Sequence, residues 1–202
     1  MSIKAIITGS TGMVGEGVLH VCLENENVEK ILVINRKPCG VSHSKLIEII
    51  HKDFFDLSAV KEHFTGYNAC FFNLGVSSVG MKEDLYYKLT YELTLNFAKT
   101  VLENNTDMTF CYISGAGTDS SEKGKLNWAR VKGKTENDLM DLGFRQAYAF
   151  RPGMIQPIRG LKNTYLFYRI FGFTLHFWKL LFPKFVISLR EIGLAMINSC
   201  MK

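Results

Sequence analysis

The most constraining feature of this sequence is a set of closely spaced glycines between two apolar segments of different period. Residues Ile3 to Thr8 form a β-branched run, and apolar residues recur at helical spacing from Val14 to Leu23. Between these segments lie Gly9, Gly12 and Gly15. Glycine permits tight turns and close backbone contacts that side chains would prevent. The pattern therefore predicts a strand, a glycine turn and a helix that packs back onto the strand.

The same alternation of short apolar strands and helical patterns continues along the chain. Strands are predicted at 30–34, 46–51, 69–73, 108–114 and 146–151, and longer helices at about 82–102 and 126–142. A short helix is predicted from Leu57, with Asp56 as its cap. Strands that alternate with helices form parallel sheets covered on both faces. We therefore expect an α/β fold with three layers and a doubly wound, mostly parallel sheet, in one domain over residues 1–202.

The glycines follow a strand and open a helix, which is the context of a dinucleotide-binding fingerprint. The first glycine permits the turn, the second lets the backbone approach a pyrophosphate, and the third allows the helix to pack on the strand. Free amides at the helix N-terminus then face the phosphates. The predicted cofactor-binding residues of this turn are Gly9, Ser10, Thr11, Gly12, Met13, Val14 and Gly15. A glycine-rich turn without a ligand is the alternative.

Thr8 and the three glycines give the spacing TGxxGxxG, which resembles the extended and atypical short-chain dehydrogenase/reductases. The likeness is strongest to their small NAD(P)H-binding members, which are similar to nucleoside-diphosphate-sugar epimerases, and it covers residues 1 to about 155. Further landmarks in the same order are Asn35-Arg36, Asp53-Phe54, Asn73-Leu74-Gly75, Ser114, Lys132 and Arg151-Pro152-Gly153. The resemblance implies a Rossmann fold with a cofactor-binding core at 1–155 and a short helical substrate or lid region at 156–202.

The residues after the second strand bear on the choice of cofactor. An acidic residue about twenty positions beyond the glycine turn binds the 2′-hydroxyl of NAD, whereas an arginine accommodates the 2′-phosphate of NADP. Here Asn35 occupies that position, followed by Arg36 and Lys37. Guanidinium forms charge-assisted bonds to phosphate, so we expect NADP(H) to be preferred over NAD(H). A solvated basic turn is the alternative.

The resemblance also assigns residues to the rest of the cofactor. Asp53 and Phe54 resemble the family's adenine-site pair, and Asn73, Leu74 and Gly75 would pass close to the ribose. Ordinary turn chemistry is the alternative for each of them. Lys132 would hold the nicotinamide ribose, and Pro152 and Gly153 complete the implied cofactor site.

The catalytic position of the family is altered in this chain. Active relatives carry Tyr-x-x-x-Lys on the helix after the fifth strand, with a serine just past that strand, because residues four apart share one helix face. Here the stretch reads Trp128-Ala-Arg-Val-Lys132, so tryptophan replaces tyrosine. Indole does not ionise near neutral pH and cannot act as general acid or base. Ser114 and Lys132 remain as the candidate catalytic residues.

Two functions from different classes are therefore open. The first is an NADPH-dependent oxidoreductase that reduces an electron-poor acceptor, such as a flavin, a quinone or a conjugated carbonyl, with Tyr86 and Tyr87 as residues that could approach the nicotinamide. The second is a cofactor-binding sensor or interaction module without catalysis. A sugar-nucleotide epimerase is disfavoured because that chemistry uses the missing tyrosine. The small-molecule substrate itself stays unknown.

Charge, cysteine content and the N-terminal sequence limit which partners and which cellular compartment we expect. The net charge of +5 comes from scattered residues without a block of like charge, which argues against nucleic acid as a partner. Five cysteines without CxxC spacing indicate a reducing compartment. The N-terminus shows no secretion pattern, so we expect a cytoplasmic protein. The five histidines show no ligand spacing, so no metal site is expected.

The segment at 164–182 is unusually aromatic. Arg169, His176 and Lys179 interrupt it, so a single transmembrane helix is not expected. A helix with such a face covers the active site, joins a second copy in a homo-oligomer or makes a peripheral membrane contact. A strand-like stretch at 185–187 and an amphipathic helix at 188–200 follow.

Overall fold

The computed structural model describes residues 2–158, 160–163 and 185–202. The strands are β1 Ile3–Thr8, β2 Val28–Asn35, β3 Leu46–Ile50, β4 Ala69–Phe72, β5 Thr109–Ile113, β6 Gln146–Phe150, β7 Met154–Gln156 and β8 Val186–Ser188. The α-helices are α1 Met13–Glu24, α2 Glu83–Tyr87, α3 Leu93–Asn104, α4 Asn127–Met140 and α5 Leu189–Cys200. A π-helical turn, Lys88–Glu92, joins α2 to α3, and a 3₁₀ helix spans Lys61–Phe64.

Six parallel strands form one sheet in the order β3-β2-β1-β4-β5-β6. Thr8 at the end of β1 pairs with Ile34 of β2 on one side and with Phe72 of β4 on the other. The order reverses between β1 and β4, which makes that edge the topological switch point of a doubly wound sheet, where ligands bind. The predicted fold class, a three-layer Rossmann fold, is confirmed.

Two apolar cores cover the two faces of this sheet. Ala5 and Ile7 of β1 point into a core shared with α1 and α5, whereas Ile6 points into a core shared with α3 and α4. Successive residues of a strand face opposite sides, so a strand between two helical layers is apolar at every position. This explains the unbroken apolar runs that marked the strands in the sequence.

A second sheet of two parallel strands, β7 and β8, leads into α5. The Ser188 hydroxyl accepts a hydrogen bond from the backbone of Glu191, whose carboxylate accepts one from the Ser188 backbone, a reciprocal capping box. The predicted C-terminal strand and helix are therefore present within one residue. Strand β7 is an additional element that the sequence interpretation did not include.

The predicted short helix from Leu57 is wrong in position. Asp56 Oδ1 accepts a hydrogen bond of 3.0 Å from the Ser58 amide, which closes a turn in place of capping a helix. Helical structure begins only at Lys61, as a 3₁₀ turn. The predicted helix at 82–102 is present as α2 and α3, with the π-helical turn between them.

The aromatic segment predicted at 164–182 lies outside the described residues. None of the helices within 2–158, 160–163 and 185–202 has both the length and the apolar character needed to cross a bilayer. The same residues contain no cluster of three or more histidine, cysteine or acidic side chains arranged to hold a metal ion.

Candidate functional site

The glycine turn brings β1, α1 and β4 close together. Gly9 has φ of +70°, and a Cβ there would lie 2.8 Å from the carbonyl oxygen of Asn73. A Cβ at Gly15 would lie 2.1 Å from the carbonyl oxygen of Gly9, which no side chain permits. Gly12 is different, because its Cβ would lie 3.4 Å from that same oxygen. Folding therefore requires glycine at 9 and 15, whereas Gly12 is nearly free of packing demands.

Gly12 is also the N-cap residue directly before α1, and it has no side chain to cap the helix. The Gly12 amide donates to the Gly9 carbonyl at 2.9 Å, which closes the turn. The backbone amides of the first turn of α1 come directly after it in the chain. Such uncapped amides attract anions, and the helix dipole adds to the attraction. The turn therefore has the geometry of a phosphate cradle.

Ser10 connects this turn to the end of β2. Its hydroxyl and the Asn35 side-chain amide exchange hydrogen bonds of 2.8 and 3.0 Å, and both residues are buried. Asn35 also donates to Glu48 of β3, whose Oε1 accepts a second hydrogen bond from the Cys39 amide. The sequence interpretation found no carboxylate at this strand end, and Glu48 supplies one from the neighbouring strand.

A cavity of about 160 Å³ opens beside this strand end. Five of the predicted cofactor residues line it, namely Arg36, Asp53, Phe54, Leu74 and Gly75. They come from the ends of β2, β3 and β4, so the sheet brings distant parts of the sequence to one place. Ligand pockets for drug-sized molecules start at roughly 300 Å³, so this one suits a single ring system such as adenine.

Lys37, the second predicted cation, is exposed and does not line the cavity. Lys52 does line it, and the sequence interpretation missed this residue although it directly precedes Asp53. Leu89 also reaches the cavity, from the π-helical turn. Such turns are frequent at functional sites, but sequence periodicity does not reveal them. The cavity thus combines two cations and the carboxylate of Asp53 with apolar walls.

Asn73 and Gly75 follow β4 at the switch point. The Asn73 side chain donates to the carbonyls of Phe71 and Thr8, at 3.0 and 3.3 Å, while its buried Oδ1 has no partner among the described residues. A Cβ at Gly75 would meet nothing within 4 Å. Packing within the protein therefore does not explain this glycine, whereas a ligand passing over the backbone would. These features fit a dinucleotide.

Ser114 lies just past β5 and is nearly buried. Its Oγ is 2.9 Å from Thr118 Oγ1, and Thr118 donates its own hydroxyl proton to the Gly115 carbonyl at 2.8 Å. Ser114 therefore donates to Thr118, and its oxygen keeps lone pairs as acceptors. The structure places Ser114 at the carboxyl edge of the sheet, and its catalytic role stays a prediction.

Trp128 packs against the loop that follows β5. A Cβ at Gly117 would lie 3.2 Å from Cη2 of the indole ring, so the ring covers the glycine closely. Four residues on, Lys132 Nζ lies 3.4 Å from Tyr112 Oη and 5.2 Å from the centroid of that ring. Burial lowers the pKa of Lys132 to about 8, and the charge of Glu136 acts in the opposite direction.

The Glu136 carboxylate is hydrogen-bonded to Arg151. Arg151 Nε donates to both of its carboxylate oxygens at 3.0 Å, and this hydrogen-bonded pair raises the pKa of Arg151. The pair fastens α4 to the end of β6. Arg151 thus has a structural explanation.

The two residues after Arg151 are also held within the protein. The Pro152 carbonyl accepts from the Ala116 amide at 2.9 Å. A Cβ at Gly153 would lie 2.6 Å from the Phe185 carbonyl oxygen, so β7 and the start of β8 require glycine there. Cofactor contacts for Pro152 and Gly153 stay a prediction.

The two candidate tyrosines of α2 have different positions. Burial raises the pKa of Tyr112, and the neighbouring Tyr86, which is itself buried, raises it further. The Tyr87 ring packs on Tyr91 with a centroid separation of 4.8 Å. Tyr91 in turn donates to Asp138 at 2.5 Å. Tyr86 therefore lies near Tyr112, the residue that contacts Lys132, whereas Tyr87 packs on Tyr91.

Comparison with known proteins extends these observations. No protein-family model matches the chain. It is 28% identical over 167 residues to "Protein FMP52, mitochondrial" of Debaryomyces hansenii, covering 79% of this chain and 72% of that protein. It is 30% identical over 156 residues to the protein of the same name in Emericella nidulans, covering 74% of this chain and 65% of that protein.

Solved structures share the fold at low sequence identity. An ADP-L-glycero-D-manno-heptose-6-epimerase of Helicobacter pylori has a TM-score of 0.75 at 14% identity, over 99% of this chain and 73% of that one. A short-chain dehydrogenase of Burkholderia cenocepacia in complex with NADP has a TM-score of 0.69 at 14% identity, over 100% and 86%. The fold is that of the short-chain dehydrogenase/reductases, which confirms the resemblance at the level of the fold.

The expected cytoplasmic location is contradicted by the sequence relatives, because their names place them in mitochondria. All five cysteines are free in the structure. Free thiols argue only against an oxidising compartment, so they did not justify a choice among compartments that keep thiols reduced.

Proposed function

We propose that this protein is an NADP(H)-dependent oxidoreductase of the atypical short-chain dehydrogenase/reductase kind. The observation that carries the proposal is the cavity beside β2, which five predicted cofactor residues line together. The glycine turn lies at the adjoining switch point of the sheet, where a pyrophosphate is held at a helix N-terminus. Residues 1–202 act as one NAD(P)-binding domain in this proposal.

The preference for NADP(H) rests on Arg36 and Lys52, which both line the cavity. A 2′-phosphate gains charge-assisted hydrogen bonds from guanidinium that a 2′-hydroxyl cannot form. Among the structural neighbours, one is in complex with NADP and another is described as an NADPH-bound carbonyl reductase, from chicken fatty liver. Both names are consistent with the same cofactor here.

Bound NADPH would supply a hydride to the substrate. The chain contributes Ser114 as a hydrogen-bonding group and Lys132 as a cation beside the nicotinamide end. With tryptophan in place of the usual tyrosine, acceptors that delocalise the incoming electrons are favoured, because they need less proton transfer at the moment of reduction. Quinones, flavins and conjugated carbonyls are such acceptors.

A non-catalytic cofactor-binding module is the second candidate. The observation in its favour is Trp128, whose indole packs against Gly117 at the position where relatives carry their acid. Binding without turnover would separate this candidate from the oxidoreductase.

The test has a binding part and a turnover part. Fluorescence titration should give tighter binding for NADPH than for NADH, and NADPH oxidation should appear with at least one quinone, flavin or conjugated carbonyl. Arg36→Ala should reduce the NADPH preference by roughly five- to thirtyfold, corresponding to about 1–2 kcal/mol. Lys37→Ala is the matched control and should change it less, because Lys37 lies outside the cavity. Equal affinities for both cofactors would refute the preference, and binding without any turnover would leave the second candidate.

A further inference from the structure

We propose that Lys132 is itself the proton donor of this site, in place of the tyrosine that the chain lacks. The inference rests on the proposed reductase function and deepens it. It starts from the position of the Lys132 amine, which extends from α4 to the phenol of Tyr112, two residues before Ser114 at the carboxyl end of β5.

The other ionisable groups in this neighbourhood cannot reach a substrate. Tyr112 is 2% exposed, and its ring lies against Phe72 in the core beneath the sheet edge. Tyr86 is equally buried. Trp128 has no proton that ionises near neutral pH. Lys132 alone among these residues combines an ionisable proton with a long, partly accessible side chain.

Lys132 also lacks the carboxylate partner that would hold its proton. Among the described residues it forms no salt bridge, and its hydrogen-bond partner is the neutral Tyr112 hydroxyl. The nearest acidic side chain on its helix, Glu136, is bound by Arg151 through both oxygens. Lys134, two residues away, instead pairs with Asp138 at 3.0 Å.

The electrostatic consequences for the two lysines are opposite. Burial lowers the pKa of Lys132 to about 8, and the charge of Glu136 raises it again in part. The Tyr112 phenol faces the amine, and Tyr86 lies beside Tyr112. The hydrogen bond to Asp138 raises the pKa of Lys134 to about 12. A donor is most effective when its pKa is near the working pH, so Lys132 suits proton transfer and Lys134 does not.

The proton balance of the step is simple. Bound NADPH would supply the hydride, which leaves negative charge on the oxygen of a quinone or carbonyl acceptor. A proton passes from Lys132 Nζ to that oxygen, so an N–H bond breaks, an O–H bond forms and the lysine is left as a neutral amine. The amine then regains a proton from water, and no further oxidant or reductant is needed.

The first experiment measures the amine without the cofactor. Competitive acetylation of the native protein between pH 6 and 11, read out by mass spectrometry for each lysine, gives a reactivity midpoint for Lys132 and for Lys134 in the same sample. We expect a midpoint near 8 for Lys132 and a much higher one for Lys134. A Lys132 midpoint at or above the ordinary lysine value would overturn the proposal, even if NADPH binds normally.

The second experiment follows NADPH oxidation with 9,10-phenanthrenequinone across the same pH range. The wild-type kcat/KM should fall as pH rises through about 8, because the ammonium form is lost. Lys132→Arg keeps a charge that does not titrate there, so the rate should drop by roughly 10²–10⁴-fold and the fall near pH 8 should disappear. Lys134→Arg, the matched control, should keep both rate and profile.

The outcomes separate the two proposals. Lack of NADPH binding by the wild-type protein would refute the proposed function, whatever the acetylation shows. Normal binding of NADPH together with an unchanged pH profile in Lys132→Arg would refute only the proton donor. Normal binding with no oxidation of NADPH by the quinone would count against the reductase function and, with it, against Lys132 as its donor.

Discussion

Asn35 donates a hydrogen bond of 2.9 Å from its side-chain amide to the carboxylate of Glu48, across the pair of neighbouring strands β2 and β3. The same Glu48 oxygen accepts from the Cys39 amide at 2.8 Å, so it braces the turn that carries Arg36. A carboxylate at this strand end opposes a 2′-phosphate and favours a ribose hydroxyl. We therefore expect Glu48 to limit the NADP(H) preference proposed from Arg36.

Removing the negative charge of Glu48 should increase the preference for NADPH over NADH. In Glu48→Gln the amide oxygen still accepts a hydrogen bond from Asn35 or Cys39, while the repulsion of a 2′-phosphate disappears. We expect the ratio of NADPH to NADH affinity to rise by about two- to fivefold in fluorescence titrations. Glu29→Gln, at the other end of β2, is the control and should leave the ratio unchanged. A fall in the ratio of NADPH to NADH affinity in Glu48→Gln would show that the hydrogen bonds of Glu48 to Asn35 and Cys39 matter more than its charge.

Two glycines of the turn should respond differently to alanine. Gly15→Ala places a Cβ against the Gly9 carbonyl at 2.1 Å, so it should lower the thermal midpoint of unfolding strongly. Gly12→Ala meets that oxygen only at 3.4 Å and should leave the midpoint nearly unchanged. Its methyl group would instead occupy the path of the pyrophosphate and weaken NADPH binding. Calorimetry with and without NADPH measures both effects, and normal NADPH affinity in Gly12→Ala would contradict the assignment.

Gly75 offers a test of the ligand path itself. The space above its Cα is open, so Gly75→Ala and Gly75→Val should both fold with ordinary stability. If the ribose passes over this backbone, NADPH affinity should fall in the order Gly, Ala, Val. An affinity that does not depend on the size of this side chain would place the cofactor elsewhere.

Stability should depend on pH through Lys132. Its pKa is lowered from 10.5 to about 8 in the folded protein, so the folded state binds fewer protons than the unfolded state between those pH values. The free energy of unfolding contributed by this group therefore rises as pH increases through that window. Lys132→Met should remove the rise and stabilise the protein at pH 7 by roughly 1–3 kcal/mol.

The control for that prediction is Lys134, whose pKa is raised. Its contribution to stability is complete below 10.5 and is lost only at higher pH, so Lys134→Met should bring no gain at pH 7. Urea denaturation at pH 7 and pH 9 distinguishes the two variants. A Lys132→Met variant that is less stable than the wild type at pH 7 would contradict the burial argument.

The fold was largely predictable because its signals are local. The run Ile3–Thr8, the glycines after it and the helical spacing that follows identify a strand, a turn and a helix without knowledge of distant residues. The region after Asp56 was not predictable in this way. A cap and a turn use the same aspartate hydrogen bond, and tertiary contacts decide between them.

The candidate site was predictable only where its residues lie within one short segment of the sequence. The glycine turn and Arg36 stand out in the sequence, and the structure places them after the neighbouring strands β1 and β2, at the carboxyl edge of the sheet. Glu48 reaches the same strand end from β3, and nothing in the sequence links it to Arg36. Lys52 directly precedes the predicted Asp53 and could have been found from that neighbour. The proximity of Tyr112 to Lys132 likewise arises from packing of α4 on β5.

The most direct test of the central claim is a titration of the ¹⁵N-labelled protein with NADPH, followed by two-dimensional NMR. We expect the backbone amide signals of Gly12, Arg36 and Gly75 to shift progressively and saturate. Signals of residues 66–68 and 104–107, at the amino ends of β4 and β5, should stay in place. An absence of shifts at millimolar NADPH, or shifts confined to residues 66–68 and 104–107, would contradict cofactor binding at the switch point.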